Sequence, residues 1–229
     1  MKENQELKMQ LLKEFGESDD KETVVFCREA YKFLTEDDEK EKSPAPLRHN
    51  DGSHDGLYLI YKDGTYCRCE EASKKTDVVN IGIVQDGHAF AIAMKDLGKF
   101  PLLDDVDKCP KDHPLYKPRL CDAIYDWDCV SNTEHLKECG MKIPLQKGEY
   151  VPSLAMVLSM CHNVEALNKV LKEVGGEPFD LEECYWSSTE GGRNGAGSVT
   201  FGNGHTNGNN KCNGLVVRAV TAFNINFEA

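Results

Sequence analysis

Apolar residues repeat at helical spacing near the start of the chain, and the pattern predicts two helices there. In residues 3–15 the apolar positions fall three or four apart, which is typical of an amphipathic helix. A second helix is predicted after Asp19, because Glu22 stands in a capping-box relation to it and an apolar stripe continues to Leu34.

A charged segment with two prolines follows these helices. Residues 35–55 have no regular apolar spacing, so this stretch is interpreted as a linker. The chain is therefore predicted to consist of a helical, charged N-terminal appendage over residues 1–50 and one larger domain over residues 51–229. The appendage is a candidate oligomerisation segment.

Two pairs of β-prone runs come next, and each pair flanks an Asp-Gly dipeptide. The first pair spans residues 57–69 around the dipeptide 63–64, and the second spans residues 78–94 around the dipeptide 86–87. Asp and Gly tolerate the positive φ angles of tight hairpin turns. The sequence therefore predicts two β-hairpins.

Helical spacing returns in the second half of the chain. A short helix is predicted over residues 132–139, and a longer helical region begins near Pro152, restarts at Asn163 and ends at Gly175. Strands, then helices, then strands within one unit predict the α+β fold class.

The last predicted region, residues 185–223, combines isolated apolar residues with a filling of Gly and Asn. A strand over 198–201, a turn at 203–204, a polar run to Asn213 and one buried strand over 216–223 are predicted. Gly and Asn bury little apolar area and lose much backbone entropy on folding, so the filling cannot form a core. The pattern indicates a rigid sheet that carries exchangeable surface positions.

Charge separates this segment from the rest of the protein. The net charge is −12, from 27 basic and 39 acidic residues, yet no Asp or Glu occurs from Gly191 through Phe227. An acidic protein is a poor ligand for phosphate backbones, so nucleic acid is not expected as a partner.

The N-terminal residues lack the apolar core of a signal peptide, and no stretch reaches transmembrane length. We expect no membrane insertion, a cytoplasmic or phage-virion location, and ten cysteines that are mostly reduced thiols.

The C-terminal segment resembles a known family. The text Tyr185-Trp186-Ser187-Ser188-Thr189-Glu190, followed by Val199-x-Phe201-x-x-Gly204 and Val217-Arg218-Ala219-Val220, is similar to the variable segment of proteins diversified by retroelements of bacteria and phages. The resemblance covers roughly residues 57–223 and is most specific over 185–223. It implies a C-type-lectin-like fold, in the branch near formylglycine-generating enzymes, preceded by β-hairpins.

The genetic code agrees with that resemblance. Diversification in this family rewrites template adenines, and asparagine codons can become Gly, Arg, His, Cys, Ser or Leu codons. Positions that are Asn or reachable from it form the predicted ligand-binding set: Gly191, Gly192, Arg193, Asn194, Gly195, Gly197, Ser198, Gly202, His205, Asn207, Gly208, Cys212, Gly214 and Leu215. Lys211, whose codons cannot arise by such changes in an asparagine codon, is assigned to the fixed frame, and so is Thr189.

The remaining apolar and charged residues of the segment are predicted to support that surface. The predicted scaffold residues are Trp186, Glu190, Val199, Phe201, Val217, Arg218 and Phe223. A buried arginine needs a carboxylate, and Arg218 is expected to pair with one such as Glu190.

No cofactor or metal is predicted. Cys121, Cys129 and Cys139 with His135 invite a zinc interpretation, but their spacing fits no common zinc motif, and free thiols are preferred. The acid-free segment offers no carboxylates for a lectin-type calcium site.

Three functions stay open at this stage, and the first is favoured. The protein binds a protein or glycan ligand through a diversified surface and is not an enzyme. Alternatively it is a formylglycine-generating-type oxidative enzyme, although no catalytic motif is found. A third alternative is a structural virion component that forms a homo-oligomer through residues 3–34.

Overall fold

The computed structural model describes residues 54–225, which lie within the second of two units of the chain, Asp51–Ala229. The helices predicted between residues 3 and 34 lie outside the described residues. Eleven strands and four α-helices follow in the described part. The strands are β1 (Gly56–Tyr61), β2 (Tyr66–Arg68), β3 (Val78–Gln85), β4 (His88–Ala93), β5 (Gly98–Phe100), β6 (Glu149–Tyr150), β7 (Cys184–Glu190), β8 (Gly195–Thr200), β9 (His205–Asn210), β10 (Leu215–Val217) and β11 (Val220–Ala222). The helices are α1 (Leu120–Ala123), α2 (Cys129–Glu138), α3 (Leu154–His162) and α4 (Val164–Val174), with a 3-10 turn over Val106–Lys108.

The two predicted hairpins form one side of the first sheet, whose strand order is β2-β1-β3-β4-β11-β6. At the β3–β4 turn both Asp86 and Gly87 have positive φ, 51° and 80°. Positive φ at both central residues is the geometry that two-residue hairpins favour, since its twist matches that of the strands. The Asp-Gly prediction is confirmed at this turn.

The helices begin and end close to the predicted positions. Helix α2 begins three residues earlier than predicted because the Asp128 side chain accepts a hydrogen bond from the Ser131 amide at 2.9 Å. Helices α3 and α4 meet at Asn163, as predicted, and α4 ends at Gly175, whose φ of 79° is the left-handed conformation favoured after helices.

The second sheet, in the order β5-β10-β7-β8-β9, contains most of the Gly/Asn-rich segment. Two predictions about this segment are wrong. The polar run before Asn213 forms strand β9, which pairs with β8 along its whole length. The single strand predicted over 216–223 is two strands, because the chain leaves the second sheet after Val217 and enters the first at Val220.

Apolar side chains cover both faces of the second sheet. One face contributes Tyr185 and Val199 to a core shared with α3, α4 and the first sheet. The opposite face contributes Trp186 and Val217 to a core shared with α2 and the loop that follows β5. Burial on both faces holds β7, β8 and β10 firmly, so the loops at their ends start from fixed positions.

The α+β class predicted from the sequence is confirmed. The C-type-lectin-like topology stays a prediction. Within residues 54–225, no helix combines the length and the apolar character that crossing a bilayer requires.

Candidate functional site

The predicted ligand-binding positions lie on β8, on β9, at the start of β10 and in the loops beside these strands. The β7–β8 turn, residues 191–194, and the β9–β10 loop, residues 211–214, lie at the same end of the sheet, where the Lys211 amide donates to the Asn194 carbonyl at 3.0 Å. The β8–β9 turn, with Gly202 and His205, lies at the opposite end. The predicted set is therefore divided, with Asn207 and Gly208 exposed along β9 between its two ends.

A third loop joins the end formed by the β7–β8 turn and the β9–β10 loop. The Leu103 amide donates to the Lys211 carbonyl at 3.1 Å, and the Cys212 thiol lies 3.7 Å from the Asp104 carbonyl oxygen. We call residues 104–108, 191–194 and 212–214 together the three-loop surface.

Arg193 connects two of these loops and is not free to reach a ligand. Its Nε donates to the Val106 carbonyl at 3.3 Å and its Nη2 lies 2.7 Å from an Asp107 carboxylate oxygen. Nη2 also donates to the Asp107 carbonyl at 3.1 Å, so one guanidinium holds the 3-10 turn through two backbone oxygens and one carboxylate. Arg193, predicted to bind ligand, instead fixes the geometry of the surface.

Glu190 lies buried beneath the three-loop surface and binds two basic side chains. Its side chain is 1% exposed, and that of Lys211 is 0% exposed. Lys211 Nζ donates to Glu190 Oε2, and His135 Nδ1 lies 2.5 Å from Glu190 Oε1. Burial lowers the pKa of Lys211 below its usual value, while Glu190 acts in the opposite direction. The assignment of Lys211 to the frame agrees with this burial.

Arg218 pairs with a carboxylate, as expected, but the partner is Asp96 and not Glu190. Its Nε donates to Asp96 Oδ1 at 2.5 Å, and its guanidinium lies 4.2 Å from the Phe179 ring centroid. Burial raises the pKa of Asp96, although Arg218 opposes that shift. Glu190 binds Lys211 and His135, whereas Arg218 binds Asp96. Sequence spacing could not show that these two residues, 28 positions apart, have different partners.

The scaffold residues are all buried, but Phe223 packs in a different cluster from the others. Trp186 is 0% exposed and its Nε1 donates to the Phe100 carbonyl at 2.9 Å. Phe223 packs on the outer face of the first sheet, with its ring 5.2 Å from that of Tyr66. It does not support the Gly/Asn-rich sheet because the chain has already crossed into the first sheet at Val220.

Several predicted ligand-binding positions are not available at the surface. Ser198 is fully buried and its Oγ accepts from Asn209 Nδ2 at 2.7 Å. Leu215 packs against the core that contains Trp186. A side chain at Gly197 would lie 2.9 Å from Ser187 Oγ, and one at Gly202 would lie 2.6 Å from the Leu181 carbonyl oxygen.

Other glycines of the set leave room for a side chain. A Cβ at Gly192, Gly208 or Gly214 would meet no atom within 4 Å, and at Gly191 the nearest atom would be 3.9 Å away. None of these four has a positive φ. Gly195 is intermediate, with the Asn209 carbonyl oxygen 3.5 Å from such a Cβ.

The cysteines depart in one respect from the expectation of free thiols. Cys109 and Cys139 form a disulfide, with their Cα atoms 5.1 Å apart, whereas seven further described cysteines are free. The zinc alternative also fails to assemble: across residues 54–225 no group of three or more potential ligands is placed to hold a metal.

Sequence reasoning missed the loop of residues 104–108 and the buried role of His135. The loop carries Asp104, Asp105 and Asp107 between two prolines, which marks an exposed turn but not its neighbour. His135 and Cys139 are four residues apart on α2, a spacing that places two side chains on one helix face. That spacing was the one sequence feature from which the contact between His135 and Cys139 could have been predicted.

Comparisons with known proteins give little further guidance. No protein-family model and no curated protein match the chain. A solved structure to which it is similar is that of a fimbrial protein from Bacteroides ovatus ATCC 8483, with 16% identity and a TM-score of 0.45, covering 74% of this chain and 49% of that one. The chain thus spans about half the length of that fimbrial protein. Similarity this low identifies no family.

Proposed function

We propose that this protein binds a protein or glycan ligand through exchangeable positions of its Gly/Asn-rich segment, displayed on a C-type-lectin-like scaffold. The observation that carries the proposal is the contrast between two kinds of position in that segment. Trp186, Glu190, Val199 and Lys211 are buried and fixed by contacts. In the loops, by contrast, Gly191, Gly192 and Gly214 have room for a side chain, and Asn194 and Asn213 are exposed. A binding surface can change at such positions without loss of the fold.

The chemistry of the three-loop surface favours hydrogen bonding over apolar contact. Exposed Asn194 and Asn213 lie in loops that contact the acidic loop, through Arg193 with the Asp107 carboxylate and through the Cys212 thiol with the Asp104 carbonyl oxygen. Large aromatic side chains, which usually dominate binding energy, are absent from these loops. We therefore expect this protein to bind its ligand weakly, and we expect aromatic substitutions in these loops to strengthen binding.

A pair of display libraries tests the proposal. The first randomises Gly191, Gly192, Asn194, Asn213 and Gly214 in the full chain. The matched control randomises five positions on the surface of α3 and α4, namely His162, Glu165, Ala166, Lys169 and Lys172. Both are selected against the same panel of purified proteins and glycans.

We expect the first library to yield folded binders enriched in Tyr and Trp, because aromatic side chains add large contact area at low entropy cost. The control library should yield few, since a convex helix surface offers no preformed loops. Equal yields from the two libraries, or loss of folding throughout the first, would contradict the proposal.

A further inference from the structure

The disulfide between Cys109 and Cys139 lies against two basic side chains, one beside each sulfur. Lys211 Nζ is 3.9 Å from Cys109 Sγ, and His135 Nε2 is 3.7 Å from Cys139 Sγ. Both bases also bind Glu190, so the disulfide belongs to the buried charged cluster under the three-loop surface. A disulfide that only crosslinks two segments needs no such neighbours.

Three of these residues have the order of a nucleophile, a base and an orienting carboxylate. His135 Nε2 faces Cys139 Sγ, and its other nitrogen, Nδ1, lies 2.5 Å from Glu190 Oε1. A carboxylate at Nδ1 holds the imidazole so that Nε2 can take a proton from the thiol. Helix α2 supplies the alignment, because His135 in its last turn and Cys139, the C-cap residue that follows Glu138, stand four positions apart on one face.

Opposing electrostatic effects act on a thiolate at this place. The C-terminus of α2 carries partial negative charge, which disfavours an anion by up to about 1 kcal/mol at exposed sites. An imidazolium at 3.7 Å from Cys139 Sγ and the Lys211 ammonium favour the anion, while burial and the Glu190 carboxylate oppose it. The two basic neighbours distinguish this pair from Cys129, where burial and the nearby Asp128 carboxylate raise the pKa to about 12.

We propose that Cys109 and Cys139 form a redox-active pair that exchanges with external thiols and disulfides, with Cys139 as the nucleophile, His135 as its base and Glu190 as a positioning residue. This site is independent of the proposed binding function. It adds a reaction that the three-loop surface does not require.

The exchange runs in two steps from the reduced pair. His135 takes the Cys139 proton, and the thiolate attacks one sulfur of an external disulfide, forming a mixed disulfide and releasing one thiolate that accepts the proton from His135. Cys109 then loses its proton to solvent, attacks Cys139 Sγ as a thiolate beside Lys211, and breaks the bond between Cys139 Sγ and the external sulfur, whose thiolate takes up a proton from solvent. The pair loses two electrons and two protons, and the external disulfide gains them. The reverse reaction oxidises an external dithiol.

Access to the sulfurs requires local opening, and the structure offers a segment for it. Cys109 follows the short 3-10 turn in a stretch, residues 101–117, that has no longer helix or strand. The stretch is held by backbone hydrogen bonds from Leu103 to Lys211 and from Lys117 to Glu190, by Arg193, and by the Cys212 thiol contact with Asp104. Irregular segments open at lower free energy than core strands and helices, and opening of this one breaks these contacts.

The test unmasks Cys139 with the substitution Cys109→Ser in the full chain. The alkylation rate of every cysteine by iodoacetamide is measured against pH by mass spectrometry. We expect Cys139 at pH 7 to react at least about tenfold faster than Cys129 in the same molecule, because its thiolate is paired with imidazolium. Adding His135→Gln should slow Cys139 about tenfold and raise its pH midpoint toward that of an ordinary thiol, about 8.5. Glu190→Asp should preserve the pH profile that Glu190→Gln changes.

His162→Gln, at an exposed histidine at the end of α3, serves as the control and should leave Cys139 unaffected. The wild-type pair gives a second measurement that needs no variant, namely its reduced fraction in native protein equilibrated with glutathione buffers. A reduced fraction that follows the glutathione ratio supports the proposal. Cys139 reacting no faster than Cys129, a rate insensitive to His135→Gln, or a pair that is reduced only when the protein unfolds would overturn it.

Discussion

A single carboxylate, Glu190, organises the end of the Gly/Asn-rich sheet. Removing Glu190, Lys211 and His135 from water is costly, and the mutual contacts of the three offset that cost. A buried ion pair contributes little net stability compared with apolar residues of the same volume, but removing one member leaves the other charge unpaired. The free energy of unfolding should therefore depend strongly on whether Glu190 and its basic partners are all present.

We expect Glu190→Gln to lower the free energy of unfolding by about 3 kcal/mol, because it leaves the Lys211 ammonium buried without a counter-charge. Urea titration at pH 7 measures this change. Glu138→Gln, at an exposed acid on α2, is the control and should change stability by less than about 0.5 kcal/mol. The double substitution Glu190→Leu with Lys211→Met should recover most of the loss. A loss below about 1 kcal/mol for Glu190→Gln would show that the pair is not buried as described.

Two glycines on neighbouring strands distinguish the fixed part of the sheet from its exchangeable part. Gly197 on β8 and Gly208 on β9 are direct cross-strand partners. Directly paired residues point to the same face of a sheet. Leu154 of α3 covers that face at Gly197, whereas at Gly208 it is open. The codon pattern placed both in the ligand-binding set, and only packing separates them.

Gly197→Ala should destabilise the protein by about 1–3 kcal/mol, because the new methyl group would lie 2.9 Å from Ser187 Oγ and 3.2 Å from Leu154 Cδ2. Gly208→Ala is the matched control on the same face and should change stability by less than about 0.5 kcal/mol. Thermal unfolding of the two variants provides the comparison. Similar destabilisation by both would mean that β9 is covered on this face.

At the scale of the whole molecule, the sequence predicted only those features of the fold that depend on a few neighbouring residues. Asp86-Gly87 adopts its turn because positive φ is tolerated there, and Gly175 ends α4 for the same reason. Both signals are contained within a few residues. The α+β class followed from these local elements.

Long-range placement was not predictable from one sequence. Nothing local states that the chain changes sheets between Val217 and Val220, that Asp107 lies beside Arg193, or that Cys109 meets Cys139. Each contact joins residues distant in sequence and depends on how the layers pack. Packing likewise separates exchangeable from fixed positions, since the codons of Ser198 and Gly202 fit variation although Ser198 is buried and a Cβ at Gly202 would lie 2.6 Å from the Leu181 carbonyl oxygen.

The central claim is that exposed positions of the Gly/Asn-rich segment vary on a buried, invariant frame. The most direct measurement is the nucleotide sequence of the locus in several isolates, compared codon by codon with any adjacent template repeat. We predict adenine-linked differences at the codons of exposed positions, namely Gly191, Gly192, Asn194, Asn207, Gly208 and Gly214. The codons of Gly197, Ser198 and Gly202 should be invariant although adenine changes can reach them, and so should those of Trp186, Glu190 and Lys211. Absence of a template repeat, or differences spread equally over buried and exposed codons, would contradict the account.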